Sequence, residues 1–361
     1  MTSELLDRQS AFSGTRAASG LADRDRDSLT RYLELHVADF RGPLTVAQFK
    51  GGQSNPTYLL TARSGAHVLR RKPSGKLLPS AHAIEREYRV TAALAKLDFP
   101  VARPLHYCAD ESIIGTEFYV MAHVAGRVFW EPWAPGLSGK ERARLFASLN
   151  ETIARLHSID PAAAGLTGFG KPEGYVARQI KRWSEQYRAS TSESIPEMDR
   201  LIDWLPQACP AQAGSAIVHG DFRLDNCIID QAEPKALAVL DWELATLGDP
   251  LADYTYHLMM WFMPRSERGG GVGSLLGHEL DPGIPAIETY IEEYCTRTGR
   301  AGIPDLNVYL AYNFFRIAAI LQGITGRVRD GTAVNQNAAL MASEVRPLAE
   351  TAWRFAKKAG A

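Results

Sequence analysis

The sequence predicts an α+β protein of two lobes: a small, mostly antiparallel β-lobe with one key helix, then a larger and mainly helical lobe. Three observations predict this. The 361 residues can form two cores. Short strand-like apolar runs occur early in the chain, and long runs with helical spacing fill the later part. We place a flexible leader at residues 1–28, the first lobe at 29–123 and the second at 124–361.

The composition excludes several classes of protein. Hydrophobic residues make up 45% of the chain and charged residues 22%, as is usual for globular proteins. The formal net charge of −1 argues against nucleic acid or a membrane surface as a partner. No apolar run is long enough to span a membrane. The cysteines are scattered without metal or redox spacing, so we expect reduced thiols and a cytoplasmic location.

The β-lobe is predicted from three short runs. Leu44–Phe49, Thr57–Thr61 and Ala66–Lys72 are predicted strands. Gly51–Pro56 forms the turn between the first two, and the stretch Leu29–Val37, with helical apolar spacing, precedes them. The residues ahead of that helix are small, polar and charged, so we expect them to be disordered or loosely docked.

One helix of this lobe carries a carboxylate that needs a partner. Ala81–Leu97 has a helical apolar period, and Glu87 falls near the middle of its apolar stripe. A glutamate at a buried position is costly unless a cation meets it. Strand alternation puts Arg70 and Lys72 on one face of the third strand, so both are candidates for that cation.

After two further predicted strands, Pro104–Cys108 and Thr116–Ala122, the chain becomes helical. Ser138 and Glu141 form a capping box at the start of a long amphipathic helix that reaches His157. Further helices are predicted at Val176–Tyr187, Leu251–Met263, Ile284–Thr298, Pro304–Thr325 and Asn335–Lys357. The fourth of these is apolar nearly all round, which indicates a position in the core.

Two short β-like runs carry the residues that suggest chemistry. The run that ends at His219 leads to Asp221, and four residues separate Asp221 from Asn226. A second run delivers Asp241 and, two positions later, Glu243. Oxygen ligands on adjoining strand ends favour a hard cation. The spacing of acid and amide is typical of loops that catalyse phosphoryl transfer.

These motifs resemble those of one family. His219-Gly220-Asp221 with Asn226, Leu240-Asp241-Trp242-Glu243, and Gly248-Asp249-Pro250 are similar, in order and separation, to motifs of the aminoglycoside phosphotransferase-like family. Its members are small-molecule kinases related to the protein kinases. The resemblance runs from about Leu44 to the end of the chain. It implies a protein-kinase-like fold and transfer from ATP, with Mg²⁺, to the hydroxyl of a small molecule.

The resemblance implies a catalytic and metal-binding set. Asp221 would accept the hydrogen bond of the acceptor hydroxyl. Asn226 and Asp241 would complete the catalytic set by binding Mg²⁺, which bridges phosphate oxygens. Glu243 would assist a second metal ion.

The resemblance also implies a nucleotide-binding set. Arg70 takes the position of the family's phosphate-gripping lysine and would pair with Glu87, while Lys72 is the second candidate. The other residues expected to contact nucleotide are Gly52, Gln53, Ser54 and Asn55 at the phosphates, and Met121 and Val124 at a hinge that meets adenine.

Within the family, the closest similarity is to the kinase domains associated with acyl-CoA dehydrogenases. It rests on Phe49–Thr57, Leu69–Leu78 and Leu321–Gly323. It implies a hydroxyacyl-CoA acceptor, particularly a 4-hydroxyacyl-CoA, and a chain that acts in trans, functionally coupled to an acyl-CoA dehydrogenase. The cationic residues expected to meet the acceptor or its phosphates are Arg178, Arg182, Arg223 and Arg327.

Two alternatives remain open from the sequence. An aminoglycoside or other small-alcohol phosphotransferase would use the same loop with a strongly acidic acceptor pocket. An inactive kinase fold would serve as a binding module, and the intact Asp221, Asn226 and Asp241 weigh against it. The sequence leaves open the identity of the acceptor, the choice between ATP and GTP, and the oligomeric state.

Overall fold

The computed structural model describes residues 8–19, 21, 23–51, 55–73, 83–190, 194–265, 273–329 and 338–361. Its N-terminal part contains a six-stranded antiparallel sheet. The strands are β1 (Thr15–Ala17), β2 (Thr45–Phe49), β3 (Thr57–Ala62), β4 (Gly65–Arg71), β5 (Pro104–Cys108) and β6 (Phe118–Ala122). Their order across the sheet is β1-β2-β3-β4-β6-β5. The strands predicted for this lobe are confirmed.

Part of the expected leader, residues 8–17, contacts the rest of the structure. Thr15–Ala17 pair with Ala47–Phe49, so β1 extends the sheet beyond β2. The short helix α1 (Arg8–Phe12) precedes it. The ring centroids of Phe12 and Trp130 lie 5.0 Å apart. Residues 8–17 are therefore docked on the sheet, and the division of the chain at residue 28 stays a prediction. An edge strand offers unpaired backbone groups, which a polar segment can satisfy as well as an apolar one.

Two helices pack against the sheet. They are α2 (Asp23–His36) and α3 (Ile84–Ala95). Leu29 and Leu33 of α2 are fully buried in a core that includes Leu60 of β3. Ile84 of α3 is fully buried in a separate small cluster with Tyr119 of β6. The helix that carries Glu87 is thus held against the strand beside β4, which carries Arg70.

The C-terminal part is mainly helical, as predicted. Its helices are α4 (Gly139–Ser158), α5 (Tyr175–Ser190), α6 (Pro196–Ala208), α7 (Pro250–His257), α8 (Ile287–Thr298), α9 (Leu306–Arg329) and α10 (Ala338–Lys358), and a 3-10 turn, Leu258–Trp261, follows α7. The capping box of Ser138 and Glu141 starts α4 as predicted. Helix α9 packs against α5, α7 and α10 and is buried over most of its circumference, in agreement with its apolar sequence.

Two short β-ladders position the motif residues. The strands are β7 (Ala216–Val218), β8 (Cys227–Ile229), β9 (Ala236–Val239) and β10 (Thr246–Gly248). β7 pairs with β10, and β8 pairs with β9 in a register that sets Cys227 opposite Val239. The residue before β8 and the residues after β9 therefore meet at one end of the hairpin.

The predicted α+β class and two-lobed layout are confirmed. The boundary expected after residue 123 stays a prediction, and the last strand of the large sheet ends at Ala122. Within the ranges that the structure describes, no helix combines the length and the apolar character needed to cross a bilayer.

Candidate active site

The catalytic loop begins where β7 ends. His219 and Gly220 donate their backbone N–H groups to the carboxylate of Asp253 at 2.8 and 2.7 Å. Gly220 has a φ of 84°, and a Cβ there would lie 2.9 Å from Leu244, so this turn requires glycine. Burial alone would raise the pKa of Asp253, but the hydrogen bond and charge of His157 help to hold it below its ordinary value. Asp253 is therefore a charged brace for the loop.

Asp221 is held by three neighbouring side chains. Tyr256 donates its hydroxyl to Oδ1 at 2.5 Å, and Nε of Arg223 lies 3.1 Å from the same oxygen. Asn226 donates its side-chain N–H to Oδ2 at 3.1 Å. The Asp221 side chain is 22% exposed, so part of the carboxylate remains accessible. A carboxylate oriented in this way can accept a hydrogen bond from an incoming hydroxyl.

Two residues of the site, Tyr256 and Arg316, lie outside the predicted set. Arg316 of α9 is buried, donates to the Gly220 carbonyl at 2.7 Å and lies over the Tyr256 ring, 5.1 Å from its centroid. Burial raises the pKa of Tyr256, and the charge of Asp221 adds to this effect, so the hydroxyl stays protonated and donates. The sequence does offer a signal for Arg316: it is a charged residue within an apolar helix, and a buried charge needs a polar partner. We find no comparable sequence signal for Tyr256.

The register of the β8–β9 hairpin brings Asn226 and Asp241 together. Leu240 donates its N–H to the Asn226 backbone carbonyl at 2.8 Å, and Nε2 of His219 lies 2.8 Å from the Leu240 carbonyl oxygen. Asp241 then adopts a left-handed conformation, with φ 64° and ψ 61°. This region is uncommon for residues with side chains and often occurs at functional turns. Asn226 also donates to the Asp221 backbone carbonyl at 2.9 Å, which leaves its amide oxygen for a cation.

Arg70 joins the sheet lobe to the catalytic region. Its Nε lies 2.6 Å from Oε2 of Glu87, and its Nη2 donates to Oδ1 of Asp241 at 2.5 Å. Burial alone would lower the pKa of Arg70, but the carboxylates of Asp241 and Glu87 raise it above its ordinary value. The predicted ion pair of Arg70 and Glu87 is present, whereas the contact with Asp241 was not predicted. The role of Arg70 toward nucleotide stays a prediction.

Neighbouring carboxylates engage two other residues that were expected near the nucleotide. Lys72 lies 2.9 Å from Glu117, so it serves a different carboxylate from Glu87. Asn55 is fully buried and donates its side-chain N–H to Oε1 of Glu87 at 2.6 Å. The contact of Asn55 with the nucleotide phosphates stays a prediction, and its side chain is engaged by Glu87. It supplies a donor to the second oxygen of a buried carboxylate, which would otherwise be costly.

The remaining nucleotide contacts stay predictions. Gly52, Gln53 and Ser54 lie outside the described residues. Met121, near the end of β6, is buried with Val68 and Ile84. Val124, two positions after that strand ends, packs partly buried against the same cluster. This is where the chain passes from the sheet to the helical part.

The predicted acceptor arginines occupy different places. Arg223 lies in the catalytic loop itself. Arg178 is exposed and donates to a loop carbonyl at 2.6 Å, and Arg182 is exposed over a neighbouring tryptophan ring. Arg327 is exposed near the end of α9, eleven residues beyond Arg316, which is about 16 Å along a helix. Acceptor contacts of these last three residues stay predictions.

The oxygens of Asn226 and Asp241 suit Mg²⁺, which usually takes one or two carboxylates together with waters and substrate phosphates. The Glu243 carboxylate lies 4.0 Å from Nη2 of Arg70, the same nitrogen that contacts Asp241. Across the described part of the chain, no cluster of three or more His, Cys, Asp or Glu residues could hold a metal ion on its own. The oxygen donors of Asn226 and Asp241 fit a hard cation, which would need further ligands from outside the protein.

Comparison with known proteins agrees with this geometry. The sequence profile of the phosphotransferase enzyme family matches residues 45–301. Acyl-CoA dehydrogenase family member 10 of Mus musculus is 44% identical over 93% of this chain, and acyl-CoA dehydrogenase family member 11 of Rattus norvegicus is 44% identical over 92%. The chain covers 31% and 43% of those two proteins, so it spans less than half of their length.

Solved structures share the fold. A Ralstonia eutropha protein, described as a candidate aminoglycoside phosphotransferase, is 47% identical, with a TM-score of 0.82 over 92% of this chain and 98% of that chain. An aminoglycoside phosphotransferase solved with ADP and hygromycin B is 14% identical, with a TM-score of 0.57 over 90% of this chain and 98% of that chain. At such low identity the second match shows the fold alone. The kinase-like fold implied by the sequence motifs is confirmed.

Proposed function

This chain belongs to the phosphotransferase enzyme family, and from that premise we propose that it is an ATP- and Mg²⁺-dependent kinase of a small molecule. It transfers the γ-phosphoryl group to the hydroxyl of a hydroxyacyl-CoA such as a 4-hydroxyacyl-CoA. The observation that carries this proposal is the meeting of Asp221, Asn226 and Asp241 beside the buried pair of Arg70 and Glu87. An inert binding module would have no need to keep these groups together.

Asp221 acts on the acceptor. Its carboxylate, oriented by Tyr256 and Asn226, accepts the hydrogen bond of the substrate hydroxyl and turns the oxygen toward the γ-phosphorus. As the new O–P bond forms, the hydroxyl proton passes to Asp221 and the bond to the bridging oxygen breaks, so that ADP leaves. The loop backbone is fixed during this step by Asp253 and Arg316.

The opposite side of the loop serves the nucleotide. Arg70, held by Glu87, offers a guanidinium to phosphate oxygens. Asn226 and Asp241 would hold Mg²⁺, which would neutralise phosphate charge. Use of a nucleotide is supported by the related fold that binds ADP. Preference for ATP is part of the proposal.

The acceptor is proposed from the relatives. The two curated proteins are named as acyl-CoA dehydrogenase family members, which supports both an acyl-CoA acceptor and functional coupling to an acyl-CoA dehydrogenase. An aminoglycoside or other small alcohol is the second candidate. It is favoured by the Ralstonia eutropha protein, which matches over nearly its full length.

The test is a comparison of acceptors at equal ATP and Mg²⁺. We expect ADP release and a phosphorylated product, identified by mass spectrometry, with 4-hydroxyacyl-CoA and not with kanamycin or choline. Asp221→Asn should abolish the product. Asp230→Asn, at a half-buried position after β8 where an amide oxygen can still accept the N–H groups of Ala232 and Glu233, should leave it unchanged. Faster turnover of kanamycin would favour the second candidate. Binding of Mg-ATP without turnover of any acceptor would favour the binding module.

A further inference from the structure

A narrow cavity of about 30 Å³ lies beside the catalytic loop. Its walls come from the segment after β6, from the catalytic loop, and from α7 with the turn that follows it. Arg70, Glu87 and Asp241 are not among its lining residues, so it is distinct from the nucleotide side.

The polar end of the cavity is shared with the catalytic carboxylate. Arg223 and Tyr256 both line the cavity, and both contact Oδ1 of Asp221, at 3.1 and 2.5 Å. Asp225, which also lines it, lies 3.2 Å from Arg223, so its charge is already met by a cation. A molecule in the cavity can therefore touch side chains that are themselves in contact with Asp221.

The rest of the wall is apolar. Met259, Met260 and Met263 are buried there, together with the Phe129 ring and the partly buried Trp130 ring. A polycation would lose its hydration against these groups and find the guanidinium of Arg223 rather than unpaired acids. A hydrocarbon chain would gain free energy there by leaving water.

We propose that this cavity is the acceptor subsite for an unbranched hydrocarbon chain that carries the reacting hydroxyl, and that Met259, Met260 and Met263 limit its length. The proposal rests on the proposed function, because it requires an acceptor whose hydroxyl meets Asp221. The shared wall of Arg223 and Tyr256 links the chain-binding part to the reacting end.

The size of the cavity explains the role of the methionines. A volume of about 30 Å³ holds roughly two water-sized groups. A longer chain therefore requires side chains to move. Methionine is unbranched and has three rotatable bonds, so it can repack around a chain at small cost. The length accepted is then set by how far these three side chains can withdraw.

The experiment measures binding without reaction. Butanoyl-, octanoyl- and dodecanoyl-CoA lack the hydroxyl, and CoA itself is the reference for contacts of the head group. In calorimetric titrations with the whole protein, we expect Kd to fall about fourfold for each buried methylene up to a limiting length. Met260→Ala and Met263→Ala should extend that limit, and Met260→Trp should shorten it. The change in tryptophan emission when the acyl chain binds should be reduced in Trp130→Phe, because Trp130 lines the cavity.

The matched control is Met198→Ala, which truncates a fully buried methionine of α6 that does not line the cavity. It should leave the limiting length unchanged, and unaltered Mg-ATP affinity identifies the variants that remain folded. A Kd independent of chain length, or a limit unmoved by both enlarging and filling variants, overturns the subsite even if hydroxyacyl-CoA is phosphorylated. Binding that depends on the length of the acyl chain, without phosphorylation of any hydroxyacyl-CoA, supports a hydrocarbon site in this cavity but overturns both its role for the acceptor and the proposed function.

Discussion

On the nucleotide side of the catalytic loop, buried charges meet directly: Arg70 lies 2.6 Å from Glu87 and 2.5 Å from Asp241. On the acceptor side, Asp221 receives a hydrogen bond from the neutral hydroxyl of Tyr256 beside a cavity walled by methionines. The first side is built from opposite charges around the buried Arg70. The second combines a partly exposed carboxylate, which Arg223 also contacts, with apolar and adaptable side chains. Each side thus suits a different kind of ligand.

Because of this difference, substitutions on the two sides should change different measured properties. A buried ion pair that loses one partner leaves an uncompensated charge, so changes on the nucleotide side should alter stability as well as nucleotide affinity. A carboxylate oriented by a neutral donor can lose that donor without creating a buried charge. Changes on the acceptor side should therefore appear in kcat while the fold and nucleotide affinity are retained.

The largest effects are expected from separate substitutions of Asp221 and Asp241. Asp221→Asn should lower kcat by about 10²–10⁴-fold, because an amide cannot take the hydroxyl proton, and should leave the Kd for Mg-ATP unchanged. Asp241→Ala should abolish Mg²⁺-dependent ATP binding. Steady-state kinetics and calorimetry on both variants check this. The same pattern of losses in the two variants would contradict the division of the site into two sides.

The next effect in size concerns the buried ion pair. Arg70→Leu should lower the free energy of unfolding by about 3–5 kcal/mol, because Glu87 at 1% exposure would have to take up a proton or stay as an uncompensated buried charge. Urea denaturation measures this loss. The matched control is Arg89→Leu, which removes an exposed guanidinium 3.8 Å from Glu85 and should cost at most about 1 kcal/mol. Equal losses of unfolding free energy in the two variants would show that the buried Arg70 pair stabilises the fold no more than an exposed pair does.

A smaller effect is expected from the phenol that orients the base. Tyr256→Phe keeps the ring that packs under Arg316 but removes the 2.5 Å hydrogen bond to Asp221. We expect kcat to fall on the order of tenfold, with the KM for ATP unchanged, since a hydrogen bond to a charged group contributes about 1.5–3 kcal/mol. Tyr254→Phe is the control, because that hydroxyl donates to the Tyr290 carbonyl within the helical core. An equal fall in kcat for both variants would reduce Tyr256 to a packing role.

The smallest effect is expected at the second candidate cation. Lys72 is 31% exposed at its side chain and lies 2.9 Å from Glu117. Lys72→Ala should lower the free energy of unfolding by at most about 1 kcal/mol and leave the KM for ATP unchanged. Thermal unfolding and steady-state kinetics check both values. A tenfold rise in the KM for ATP would instead make Lys72 the phosphate-binding cation.

The sequence by itself determines the features whose signals are local. Burial on one face repeats every two residues in a strand and every 3.6 in a helix, so the periods locate the elements of both lobes. The same reasoning identifies Glu87 as buried, because it lies within the apolar stripe of α3. Asp221, Asn226 and Asp241 meet because short ladders with buried strands have little freedom of register.

Only the tertiary structure decides which side chains meet across long separations in the chain. Tyr256 lies 35 residues from Asp221, and Arg316 lies 96 residues from the Gly220 carbonyl that it contacts. The Asn55 side chain donates to Glu87, which lies 32 residues away in the sequence. The polar segment of β1 is ordered because β2 offers it an edge. A sequence pattern records that a face is buried, but close packing between distant elements selects the partner that it is buried against.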